Sequence, residues 1–480
     1  MKKVIFSLAT LLSVSVMVAQ SNTSNVTQTG EDNSTDVTQI GNSNASVTIQ
    51  EGSANTATAI QGSDFFNSRN GIVEQTQIGG KNTAFAQHEE DNNEVYQDQI
   101  GDGNSASATQ NLLFFGGFNF TSQSQEGNGN EGTVSQEGDA NTAFQIQTGD
   151  ANSATTSQEG GFNFSGILQE GAFNSAAMAQ VGDFNTAEQF QIGEANTAAG
   201  EQWGEGNSVI QNQQGGGNSA TSLQGSSLFN SRGGDVQQIQ IGDENTAFAN
   251  HEEDNNVILQ GQVGDGNIVS ADQNLGSFGG ENFVIQTQFG NGNIAAASQN
   301  GSNNVGDQDQ VGDENLATIS QDGTDNETIQ SQNGNGNSAE SIQGSFIFAS
   351  RGGIVEQTQS GDGNVAFAQH EEDNNVVSQT QIGNGNDASV TQNLLAFGGS
   401  NLTLQFQFGE ENIAVSSQEG VENISDIFQF GDSNFAQDTQ FGTGNTTFVT
   451  QIGESHSSII SQSGTGNAAV VTQSGSGGEL

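Results

Sequence analysis

The residues of this 480-residue sequence that could hold a metal or move a proton are few and clustered. Of its four histidines, three open the same acidic run: His88-Glu89-Glu90-Asp91, with His251 and His370 heading two counterparts. Imidazole beside carboxylates is a donor set that suits divalent metals. The spacing fits neither a zinc motif nor a calcium-binding hand, and adjacent residues at a strand-end turn point in different directions. The run therefore reads as a solvated acidic turn, with metal binding the weaker alternative. The turns GDGN (101–104, 264–267, 361–364) and GDEN (242–245, 312–315) set further carboxylates along an edge, where they can attract calcium loosely. They lack the repeated calcium-binding pattern of toxin-type solenoids.

Catalytic groupings are not expected. Cysteine is absent, and the histidines, all read as lying at turns, form no serine–histidine–aspartate order. Acid pairs abound, but a thin rod has no pocket in which to desolvate one and raise its pKa. No cofactor is implied.

The elements that carry these residues begin after a leader. Lys2 and Lys3, an apolar run at 4–18 and Ala19-Gln20 make a secretory signal peptide over residues 1–19. No later apolar run approaches the roughly 18 residues that span a bilayer. Four cations then remain, Arg69, Lys81, Arg232 and Arg351, against 56 acids. Such a surface repels nucleic acid and anionic lipid, so neither nucleic-acid binding nor membrane insertion is expected. Proline is also absent, as a chain devoted to sheet requires, because proline removes a ladder donor.

From 20 to 480 the chain reads as one repeat. Gln-x-Gly-x-x-Asn recurs every 11 residues, as in QEGDAN at 136–141, QTGDAN at 147–152 and QEGGFN at 158–163. About 39 such units can be counted, with Gln87 and Asn250 among their heads. The glycine-bearing segment between Gln and Asn suits a tight turn. The six residues from Asn to the next Gln suit a strand, with Asn, the second, the fourth and Gln on one face. A buried amide without a partner costs on the order of 1–3 kcal/mol. Stacked in register about 4.8 Å apart, equivalent amides satisfy one another. The expected ladder includes Gln136, Asn141, Gln147, Asn152, Gln158, Asn163, Gln169, Asn174, Gln180 and Asn185. Two units per rung predict an all-β, two-sided, amyloid-like solenoid with 22 residues per rung and about 19 rungs, on the order of 90 Å long.

This pattern resembles the curlin repeat of curli fibre subunits, with Gln136, Asn141, Ala143, Gln147, Asn152, Ala154 and Gln158 at matching positions. The resemblance runs over essentially all of 21–473. It implies self-assembly into extracellular functional amyloid of a biofilm matrix, with surface adhesion, export from a Gram-negative cell through an outer-membrane pore, and a curli-type nucleator as a partner. The departure is length, since a typical curlin has only a handful of repeats. A monomeric secreted rod that binds a surface polysaccharide or ice is the alternative. In-register carboxylates repel one another, so acid or calcium is expected to speed assembly.

Insertions break the rhythm near 62–72, 225–235 and 344–354, and again near 111–120, 274–283 and 393–402. Counted in units, these six insertions and the three acidic turns lie at even intervals, which places all nine on one edge of the rod. Phe65, Phe66, Arg69, Phe114, Phe115, Arg232 and Arg351 are candidate contact residues there. The plainer reading is that the loops fold back and bury their own phenylalanines.

Overall fold

A computed structural model describes residues 21–112, 116–274, 279–345, 349–394 and 398–476. The leader expected over 1–19, and Phe114 and Phe115, lie outside them. The described residues contain strands and turns and no helix. Inward and outward side chains alternate along each strand: in Thr142–Asp150 the buried residues are Ala143, Gln145 and Gln147. That period of two is the signature of a pleated strand with one face in a core.

The strands stack into two parallel sheets. The first has twenty strands, from Thr23–Glu31 to Ala468–Ser476. The second has nineteen full strands, from Ser34–Gln39 to Ser457–Thr465, apart from two-residue pieces in its loops. The chain passes from one sheet to the other at every turn, so neighbours within a sheet are one full circuit apart. Gln136 pairs with Gln158 in the second sheet, and Gln147 with Gln169 in the first. The molecule is a two-sided β-solenoid with 22 residues per regular rung and about 20 rungs.

The bends are tighter than the spacing suggests. Many strands continue through the Gln-x-Gly segment, so Gly138 still pairs with Gly160 and Asp139 with Gly161. Only two residues complete such a bend, and the first, as at Ala140 (φ 55°), takes the left-handed conformation. The glycine makes this possible. At Gly160 φ is 115°, and a Cβ there would stand 2.1 Å from the carbonyl oxygen of Gly182. Regular corners thus bring backbone against backbone, and a side chain at such a glycine would force the rungs apart.

Candidate functional site

The glutamine columns fasten rung to rung. Gln136 donates from Nε2 to Gln158 Oε1 at 2.8 Å, and Gln158 to Gln180 at 2.8 Å. In the first sheet Gln147 donates to Gln169 at 2.9 Å, and Gln169 to Gln191 at 2.8 Å. The asparagines also stack amide on amide, Asn163 Nδ2 donating to Asn141 Oδ1 and Asn174 Nδ2 to Asn152 Oδ1, both at 3.1 Å, and they hold the bends through the backbone as well. Asn141 Oδ1 accepts the backbone N–H of Asn163 at 3.1 Å, while Asn141 Nδ2 donates to the carbonyl of Gly160 at 2.9 Å. Asn152 and Asn174 repeat this with Gly171 and Gly193, both at 2.9 Å. Asn163 and Asn185 do so with Gly182 and Gly204. All ten ladder residues are buried.

A third amide column was missed by the sequence reading. The fourth strand residue of the first sheet is glutamine in most rungs, and from Gln189 to Gln405 an unbroken series of Nε2–Oε1 bonds runs through it. Second-sheet residues at the matching depth are mostly small, such as Ala249, Ala271 and Ala297, with Ile319 and Val390 among the exceptions. The signal was present: Gln-x-Gln occurs in alternate units, as in Gln97-Asp-Gln99 and Gln145-Ile-Gln147. Treating all units as equivalent concealed it.

The histidines correct the expected phase. Gln87 and Asn250 are not unit heads; His88, His251 and His370 stand in the glutamine column instead. His88 pairs in register with Gln61 and Gln110. His251 lies between Gln224 and Gln273, and His370 between Gln343 and Gln392. All three rings are fully buried, so they are not turn residues in solvent. Burial lowers their pKa from 6.5, to about 4 for His88 and about 3 for His251 and His370. His88 Nε2 lies 3.2 Å from Gln61 Nε2, which makes that ring nitrogen the acceptor, and Nδ1 lies 3.3 Å from Ser68 Oγ. A ring used this way has no donor for the next rung. The Oε1 atoms of Gln110, Gln273 and Gln392 have no hydrogen-bond partner, and at His251 the ring Nε2 has none either. Each histidine divides the column into segments.

The rest of the acidic run goes to separate partners. Glu89 bonds to Ser63 of the preceding loop, and Asp91 forms an ion pair with Arg69, with Nη2 2.6 Å from Oδ2. Glu90 is half-buried on its own, its pKa raised chiefly by desolvation. Among the described residues no three histidine or carboxylate side chains converge to hold a metal ion. On the opposite edge Asp265, Asn291, Asp313 and Asn335 follow one another, each backbone N–H donating to the next side chain. Amides alternate there with carboxylates, which spaces the charges two rungs apart. Asp243 above Asp265 is an exception.

All nine decorations leave from one edge, where the chain returns from the second sheet to the first. The first loop joins Thr56–Gln61 to Ile72–Gly80, the acidic turn joins Thr83–His88 to Glu94–Asp102, and the second loop joins Ser105–Gln110 to Phe120–Glu126. These are consecutive rungs, so each set forms one cluster. The first loop is a short excursion that re-enters at Ser68, paired with Gly41. Phe65 stands at its tip, 91% exposed, while Phe66 and its counterpart Phe229 are half-buried. The loop thus presents one ring and tucks in the other. Arg69, Arg232 and Arg351 are all exposed, Arg232 lying 3.7 Å from Glu205 and Arg351 3.5 Å from Thr324 Oγ1.

Among the described residues the two ends of the rod are open. Every position of Thr23–Glu31 is exposed, inward ones included. At the far end, a Cβ on Gly475 would meet nothing within 4 Å, whereas at most corner glycines it would meet a carbonyl of the next rung.

No curated protein matches this chain. Four stretches, 30–62, 127–160, 149–182 and 442–475, match the family model described as the Curlin associated repeat. The chain is thus a β-solenoid that carries Curlin associated repeats at four places along its length.

Proposed function

We propose that this chain is a secreted structural subunit of curli-like extracellular amyloid fibres, which lengthen by stacking rods end to end. The observation that carries this reading is the pair of open ends. Each presents unpaired strand backbone and the unfinished side of every ladder, and an exposed strand edge is a template for another chain. Gln28 already donates to Gln50 and leaves its own acceptor facing outward, as the next copy would require. The curlin repeats support the same role, together with export to the cell surface, biofilm support and adhesion through the decorated edge. No catalytic step is assigned to it. The test is to purify the protein and follow thioflavin fluorescence, then fibre diffraction. Growth of fibres with a 4.7–4.8 Å meridional reflection is expected. A persistent monomer lacking both signals overturns the proposal.

A further inference from the structure

The described rod begins and ends in the same sheet. Thr23–Glu31 opens the first sheet and Ala468–Ser476 closes it, so the first sheet has one strand more than the second. Suppose that a second copy docks on the closing end in the same orientation. Its Thr23–Glu31 then covers Ala468–Ser476, but its Ser34–Gln39 is held one strand's width away from Ser457–Thr465. The second sheet is left with an empty slot, and two strand edges stay unpaired.

A half turn about the rod axis removes that slot. Strands of the two sheets run in opposite directions because a tight bend joins them. Rotating the incoming copy by 180° therefore lays its first-sheet strand on the second sheet in the correct direction. Thr23–Glu31 then covers Ser457–Thr465, Ser34–Gln39 covers Ala468–Ser476, and both sheets continue without a gap. On the reading that fibres grow end to end, we propose that successive copies exchange sheets at every junction, each turned half a revolution from the last.

Core chemistry permits the exchange at the ends and opposes it in the middle. Between Gln189 and Gln405 the fourth strand residue of the first sheet forms the amide column, and a swap would set those amides against residues such as Ala271. At the ends this difference vanishes: the equivalent residues are Val26 and Val37 at the start, and Ile460 and Val471 at the close. After exchange Val26 stacks on Ile460 and Val37 on Val471. Gln28 meets Gln462, and Gln39 meets Gln473. A Cβ on Gly475 would meet nothing within 4 Å, and one on Gly464 only Asn467 Nδ2 of its own corner at 3.5 Å, so neither meets a next rung, and they receive Gly41 and Gly30 respectively. Without the half turn, Ile460 and Val37 face the empty slot. With it, the decorated edge appears on alternate sides of the fibre from one copy to the next.

The chain has no cysteine, so introduced pairs report contacts without interference. Thr27, Thr38, Ser461 and Thr472 all face outward at the ends. In register, neighbouring strands place Cα atoms within the 4.4–6.8 Å that a disulfide spans. Sheet exchange predicts that fibres of Thr27→Cys/Ser461→Cys, and separately of Thr38→Cys/Thr472→Cys, oxidise to ladders of multimers on non-reducing denaturing gels. Thr27→Cys/Thr472→Cys should remain largely monomeric. The reverse pattern overturns the exchange and leaves end-to-end growth standing. Fibres with the cross-β reflection but no linkage in any pair overturn both. Single-cysteine controls should give nothing beyond dimers.

Discussion

Gly71 carries no side chain at the place where His88 needs room: a Cβ there would stand 2.1 Å from the imidazole Cε1. Gly71 occupies the asparagine position of its rung, and its N–H donates to Asn44 Oδ1 at 3.0 Å. One rung gives up the asparagine, and the next replaces glutamine by the bulkier ring. Gly234 with His251 and Gly353 with His370 show the same separation of 2.1 Å. Gly71→Ala should therefore destabilise the rod by about 1–3 kcal/mol through overpacking. Adding His88→Gln should return part of that loss, because the smaller side chain vacates the space. Guanidinium unfolding of the four proteins of the double-mutant cycle reads the coupling. Additive effects would show that ring and glycine are independent.

Acid acts on the buried histidines in the opposite sense to the carboxylates. A folded pKa below the unfolded 6.5 gives stability that is complete above about pH 6.5 and is lost as pH falls toward the folded value. For His88, with a folded pKa of about 4, that loss reaches about 3 kcal/mol. Glu89 and Glu90 pack against this turn with raised pKa values, so their protonation offsets a little of it. Asp438, buried in the core and accepting from Thr447 Oγ1 at 3.1 Å, is pushed up to about 6. Its penalty is complete above about pH 6 and is relieved as pH falls toward 3.8. Burial also raises Asp272, Asp307, Asp309, Asp322, Asp387, Asp426, Glu253 and Glu372, each by less than Asp438, and the three fully buried histidines outweigh these carboxylates. The denaturation midpoint should fall from pH 6.5 to pH 4, even though lower charge repulsion speeds assembly over that range. His88→Gln/His251→Gln/His370→Gln should abolish the fall. An unchanged acid profile in that variant would refute the assignment.

The rung and its register were legible because one residue spacing recurs along the chain, and the even intervals of the insertions located them on one edge. The histidine columns were not legible from that spacing. Gln87 lies beside His88 and competes as the unit head, and only the lengths of the flanking strands decide between them. Burial of an imidazole also depends on a glycine 17 residues earlier in sequence, a contact that spacing alone does not announce. The central glutamine column required comparing every second unit rather than every unit. Which loop phenylalanine faces solvent depends on where the chain turns back. Ser63 N–H bonds to the Phe66 carbonyl at 2.7 Å, leaving Phe65 at the tip.

Two kinds of corner glycine should respond differently to substitution. Gly182 has φ 116°, and a Cβ there would meet the Gly204 carbonyl oxygen at 2.0 Å. Gly206, in the left-handed bend position that Ala140 holds in its own corner, has φ 68° and open space around it. Gly182→Ala should prevent rungs from closing and cost more than about 3 kcal/mol, because backbone cannot yield as a side chain can. Gly206→Asn should cost under about 1 kcal/mol, since asparagine tolerates the left-handed region. Thermal or guanidinium unfolding of the two variants checks this, and equal costs would refute it.

The central amide column should show polarity, with interior members worth more than its last one. Gln238 accepts from Gln211 and donates to Gln260, both at 2.8 Å. Gln238→Met would strand the Gln260 acceptor in the core, a loss of about 1–3 kcal/mol. Gln405 accepts from Gln379 at 3.0 Å, and the next residue in its column is Ile427. Gln405→Met strands no acceptor above it and should cost roughly 1 kcal/mol or less. The column's natural break tests the same idea in reverse. Ile167 separates Gln145 from Gln189, and Gln189 Oε1 has no donor. Ile167→Gln would join the two segments and supply that donor. Unfolding midpoints should rank Gln238→Met below Gln405→Met, with Ile167→Gln at or above the parent. If Ile167→Gln falls as far as Gln238→Met, packing volume rather than amide continuity governs this column.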